Sequence, residues 1–144
     1  MTFAGINYLA ILIAAVVGWL AGAAYYSALG KHWVAAQSST MEAFKARQAA
    51  LKGTSAAWLP FALAFLANLV MAWVLAGMVG HFGSVTVRSA VISALFAWAG
   101  FVLTTSIVNN AFSGRRYALT AIDAGHWLVV LVLMGVVIGW IGVL

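Results

Sequence analysis

Four long stretches of the chain are almost continuously apolar: Ile6 to Leu29, Trp58 to Gly80, Val87 to Phe112, and about 118–143. None alternates with the period of two that marks a half-buried strand. Each reaches the roughly 20 residues that a helix needs to cross a hydrocarbon core of about 30 Å. In hydrocarbon every backbone N–H and C=O must be satisfied within the chain, so the pattern predicts an all-α membrane protein, a bundle of four transmembrane helices. The first run is read as a span and not as a secretion signal. No Lys or Arg precedes it, and it is longer than a signal's apolar region.

Small residues recur at helical spacing inside all four runs. Ala14, Gly18 and Gly22 extend a GxxxG step, and Ala64, Asn68, Ala72, Ala76 and Gly80 fall at steps of four. Ser93, Ala97, Gly100 and Thr104 form a third stripe, and Gly135, Gly139 and Gly142 a fourth. Such faces let backbones approach closely, which argues for one compact bundle. Asn68 falls near mid-membrane, where an amide is expected to face another helix as an interhelical polar contact.

The connections carry the remaining signals. Tyr25, Tyr26, Ser27, Gly30, Lys31, His32 and Trp33 read as an aromatic and basic belt at the end of the first span. Between the first two spans, Ser39 and Glu42 have capping-box spacing, Gly53 is a stop, and Met41, Phe44 and Leu51 share a side. A short amphipathic helix over about 40–52 is therefore expected on the membrane surface. Pro60 suits the first turn of the second span, and Ser84 is a candidate N-cap for the third.

Composition sharpens this picture. The chain of 144 residues is 66% hydrophobic and 6% charged, with mean hydropathy +1.10, too little polar surface to cover a water-soluble domain. Its net charge of +5 comes from seven Lys and Arg placed in loops. They are expected to meet anionic lipid head groups, and nucleic acid is not expected as a partner. Lys31, Lys45, Arg47, Lys52, Arg115 and Arg116 lie on one side and Arg88 alone on the other, so the positive-inside rule puts the first and third loops in the cytoplasm and both termini outside it. Cysteine is absent, which excludes disulfides, thiolate metal sites and cysteine nucleophiles.

The segment Thr104 to His126 holds most of the remaining polarity. With Tyr26 and Lys31 it supplies a candidate cluster at the cytoplasmic end: Tyr26, Lys31, Thr105, Asn109, Asn110, Asp123 and His126. Two readings of the cluster stand. Asp123 pairs with Arg115, Arg116 and Lys31 near a helix N-terminus, as a structural ion pair. Alternatively Asp123 and His126, three apart on one face, share a proton across the bundle from Tyr26, Lys31 or Asn109. No nucleophile-base motif, phosphate loop or HExxH is present, and His81 falls on the far side from His32 and His126. No catalytic residue, metal or cofactor is expected. The expectation is a non-enzymatic helix-packing or accessory component, acting with itself as a homo-oligomer, with lipid, or within a larger membrane complex. The alternative is a small transporter or channel with a polar site at its cytoplasmic end.

Several short motifs occur in order: Tyr26-Ser27, Gly30-Lys31-x-Trp33, Gly100-Phe101 with Thr104-Thr105, Asn109 or Asn110 then Phe112-x-Gly114-Arg115, and Asp123-Ala124-Gly125-His126. This series resembles a family of small bacterial four-span proteins catalogued as domain of unknown function 1761. The resemblance covers nearly the whole chain and implies a bacterial inner membrane and a four-span architecture, with no activity attached. Members usually have Pro after Tyr-Ser and a longer step to Gly-Lys, where this chain has Ala28 and a shorter step.

Overall fold

The computed structural model describes residues 2–142; the ends on which the predicted terminal orientation bears, and the expected last residue of the fourth span, lie outside them. Four helical spans form a bundle: α1 (Tyr8–Ala36), α3 (Ser55–His81), a third span running from Val87 to Phe112, and α6 (Tyr117–Ile141). A short helix, α2 (Met41–Leu51), joins the first two. The third span has three parts: α4 (Val87–Ala97), a π-helical segment (Trp98–Leu103) and α5 (Thr104–Phe112).

Close backbone approach sets the packing. A Cβ at Gly18 would stand 2.6 Å from both Asn68 Oδ1 and Met134 Cε, and one at Gly22 would stand 2.6 Å from His126 Nε2. On the other side of α6, a Cβ at Gly135 would meet the Ala90 carbonyl oxygen at 2.9 Å, and one at Gly139 would strike the Val87 backbone. The core between these contacts is made of Ala14, Ala15, Ala72, Ala76, Ala90, Ala94, Val130, Met134 and Ile138. Small side chains on one helix receive larger ones from its neighbour, as expected where dispersion and not hydrophobicity drives helix association.

Several boundaries differ from the sequence expectation. The chain opens with a two-stranded antiparallel hairpin, Thr2–Phe3 (β1) and Ile6–Asn7 (β2), with Phe3 opposite Ile6. Ala4 and Gly5 both have positive φ, 51° and 82°, the backbone of a two-residue hairpin turn. Ile6 is therefore a buried strand residue and not the start of the first span. The hairpin closes the end of the bundle opposite the basic loops: Asn7 N–H donates to the Gly142 carbonyl at 2.9 Å, and the Phe3 ring lies against Gly77 and Trp73.

Helix α1 continues through the belt to Ala36, so Lys31 and Trp33 are helical. Thr40, and not Ser39, caps α2, accepting from Ala43 N–H at 3.2 Å. Helix α3 begins at Ser55, which places Pro60 in its second turn, where the missing N–H leaves the Ala56 carbonyl without its helical donor. Thr86, and not Ser84, caps α4, in a reciprocal capping box with Ser89. In each case a neighbouring hydroxyl residue had the same chemistry, and chain geometry chose between them.

The π-helical segment divides the third span. Ala90, Ser93 and Ala94 before it are the buried residues of the third span, while Gly100 within it and Thr104 after it, both of the expected small-residue stripe, face outward. Just 11% of this span's most apolar window is buried, against 33% for α1 and α3 and 39% for α6.

Candidate functional site

The polar residues gather where α1 and α6 meet at the basic end. Helix α1 runs towards that end and α6 away from it, so residues pair in opposite order. Asp123 Oδ1 accepts a hydrogen bond from the Tyr26 hydroxyl at 2.7 Å and from Trp33 Nε1 at 3.0 Å. Tyr26 and Trp33 are seven residues apart, about two helical turns, and so lie on one stripe of α1. The partners expected for Asp123, namely Arg115, Arg116 and Lys31, are replaced by two neutral donors. The reason is the extra length of α1, which carries Trp33 to the carboxylate, while the two arginines stay in the exposed turn before α6.

His126, one turn further along α6, faces the same stripe of α1. Its ring centroid lies 4.7 Å from that of Tyr26, 5.7 Å from that of Tyr25 and 4.5 Å from that of Trp127. It is 7% exposed, and its Nδ1 is buried without a hydrogen-bond partner. Gly22 makes the room: any side chain there would occupy the position of the imidazole. Tyr25 donates to the Ile122 carbonyl at 2.9 Å, so Tyr25, Tyr26 and Trp33 of α1 together hold the first part of α6.

The third span joins through two bonds. Trp98 Nε1, at the start of the π-helical segment, donates to the Ala124 carbonyl at 2.7 Å, and Asn110 Nδ2 donates to Thr120 Oγ1 at 2.8 Å. Deeper in the bundle Asn68 is 3% exposed; its Nδ2 donates to the Ala64 carbonyl at 2.8 Å, one turn back on its own helix, and its Oδ1 has no partner.

Of the seven residues expected to cluster, the structure brings Tyr26, Asp123 and His126 into contact and holds Asn110 beside them through Thr120. Lys31, Thr105 and Asn109 are exposed and stand apart. Lys45, Arg47 and Lys52 lie on or just after α2, exposed, as are Arg115 and Arg116. Residues that sequence reasoning did not place in the site are Trp33, Tyr25 and Trp98. The seven-residue step from Tyr26 to Trp33 was a usable signal, whereas Trp98 owes its position to a π-helical turn that no periodicity announces. Phe44 of α2 touches Trp33 edge to face, with centroids 6.0 Å apart, which ties the short helix to the same cluster.

Chemically this is a carboxylate held by two neutral donors beside an imidazole enclosed by aromatic rings. Among the described residues no group of three or more His, Cys, Asp or Glu converges as metal ligands. No curated protein and no solved structure gives a significant match to the chain. The family described as "Protein of unknown function (DUF1761)" matches residues 9–139, which reaches into all four spans and takes in every residue of the cluster. By that match the chain belongs to the DUF1761 family.

Proposed function

We propose that the protein is a non-enzymatic packing component of the bacterial inner membrane, with its basic loops in the cytoplasm and α2 on the membrane surface. The observation that carries this reading is the use made of Asp123, the one acidic side chain within the spans. It joins α6 to α1 through Tyr26 and Trp33, and beyond it the core is closed by Ala, Val, Leu, Ile and Met side chains. The cluster is thus a clamp that fixes the two most central helices. The third span then presents Thr105 and Asn109 outward, polar groups that gain from a covering partner, a second copy or another membrane protein.

The test is the mass of the protein in mild detergent and in nanodiscs, together with solute and proton flux in liposomes. An oligomer or a co-purifying membrane protein, retained by Asp123→Asn, is expected. A monomer that conducts solute or protons, and loses flux in Asp123→Asn while keeping its fold, would overturn the proposal.

One observation favours a second reading, a small transporter or channel with its polar site at this end. His126 Nδ1 and Asn68 Oδ1 are buried without partners, and such groups normally bind water or a ligand. On this reading His126→Gln alters flux; a flux-free protein dismisses it.

A further inference from the structure

At the basic end the chain turns at Gln37–Ser38 after α1 and again at Gly114–Arg116 before α6, and an open cleft of about 320 Å³ lies between the two turns. Its floor is Ala36 and Leu119, both buried, and its rim is Gln37, Ser38, Arg115 and Arg116. The volume is at the small end of the range for small-ligand sites, roughly 300–1,000 Å³. Both guanidinium groups are exposed, and the carboxylate that sequence reasoning assigned to them is held elsewhere, by Tyr26 and Trp33. The chain's other acidic residue, Glu42, belongs to α2. In the last turn of α1 the carbonyls of Trp33 and Val34 accept from Gln37 N–H and that of Ala35 from Ser38 N–H, so the two guanidinium groups supply the positive charge that an anion needs beside this helix end.

We propose that this cleft binds a phosphate-type oxyanion, carried either by an anionic phospholipid head group or by a soluble phosphate. Arg115 and Arg116 supply planar forks that match phosphate oxygens two at a time, and Ser38 and Gln37 supply neutral donors on the facing rim. The site is independent of the role of Asp123, so it stands whichever reading of the α1–α6 cluster holds.

The test uses the full chain and two probes. Native mass spectrometry from mild detergent measures retention of phosphatidylglycerol against phosphatidylcholine, and phosphorus NMR follows inorganic phosphate titrated onto the protein in phosphatidylcholine nanodiscs. Arg115→Gln with Arg116→Gln is compared with Lys45→Gln with Arg47→Gln, which removes equal charge from α2. Binding of at least one probe is expected to fall at least about tenfold in the first pair and to change less than about twofold in the second. Phosphatidylglycerol retention alone assigns the lipid source, and saturable phosphate binding assigns a soluble one. No binding of either probe by the parent protein, or equal weakening in the two pairs, overturns the site in favour of diffuse surface charge.

Discussion

Tyr26 joins Asp123 and His126 of α6 without a cation: its hydroxyl donates to Asp123 and its ring packs against His126. Removing the acceptor strands both donors, so Asp123→Ala is expected to cost about 1.5–3 kcal/mol in equilibrium unfolding from mixed micelles, the range for hydrogen bonds to a charged group. Asp123→Asn keeps an oxygen acceptor and should cost clearly less. An equal loss in both would show that charge and not hydrogen bonding holds the helices together. Gly22→Ala puts a methyl against the His126 ring and should destabilise by about 1–3 kcal/mol as overpacking. A neutral or stabilising result would mean that the imidazole turns away freely. Much of this site was legible: the three-residue step from Asp123 to His126 and the seven-residue step from Tyr26 to Trp33 define two stripes. Their pairing was not, because a stripe states which residues face inward and leaves open which helix they meet.

At the scale of elements, the two short-range caps differ in what depends on them. Thr86 starts α4, whose Ala90 and Ala94 sit in the core, whereas Thr40 starts α2, which buries none of its side chains. Thr86→Ala should lower global stability by about 1 kcal/mol, while Thr40→Ala should raise amide exchange in α2 alone and leave the unfolding midpoint unchanged. Global loss on Thr40→Ala would show α2 to be integral to the bundle. Trp98→Phe removes the bond to the Ala124 carbonyl and should cost about 0.5–1.5 kcal/mol, with faster exchange confined to residues 98–112. The apolar length of the third helix, Val87–Phe112, is visible in the sequence, yet its π-helical turn is not. A helix that is apolar on most faces carries no phase from which one wide turn can be detected.

For the whole molecule, the chain's lack of cysteine makes sidedness directly measurable. In the proposed orientation a membrane-impermeant maleimide added to intact cells should label Ser84→Cys and spare Lys45→Cys, and inverted vesicles should reverse the pattern. Labelling of Lys45→Cys from outside would invert the assignment of every polar group. The amino acids alone determined that lipid is the solvent and that four helices are long and apolar enough to cross it, because hydropathy and spacing are local properties that hydrocarbon enforces on any backbone. Tertiary structure decided that α6 lies between α1 and α4, that an N-terminal hairpin closes one end, and that Asp123 binds Tyr26 and Trp33 in place of arginine. Each of those outcomes depends on which of several equivalent small-residue faces meets which neighbour, a choice made by the fit of side chains such as His126 and Met134 into the space left by Gly22 and Gly18.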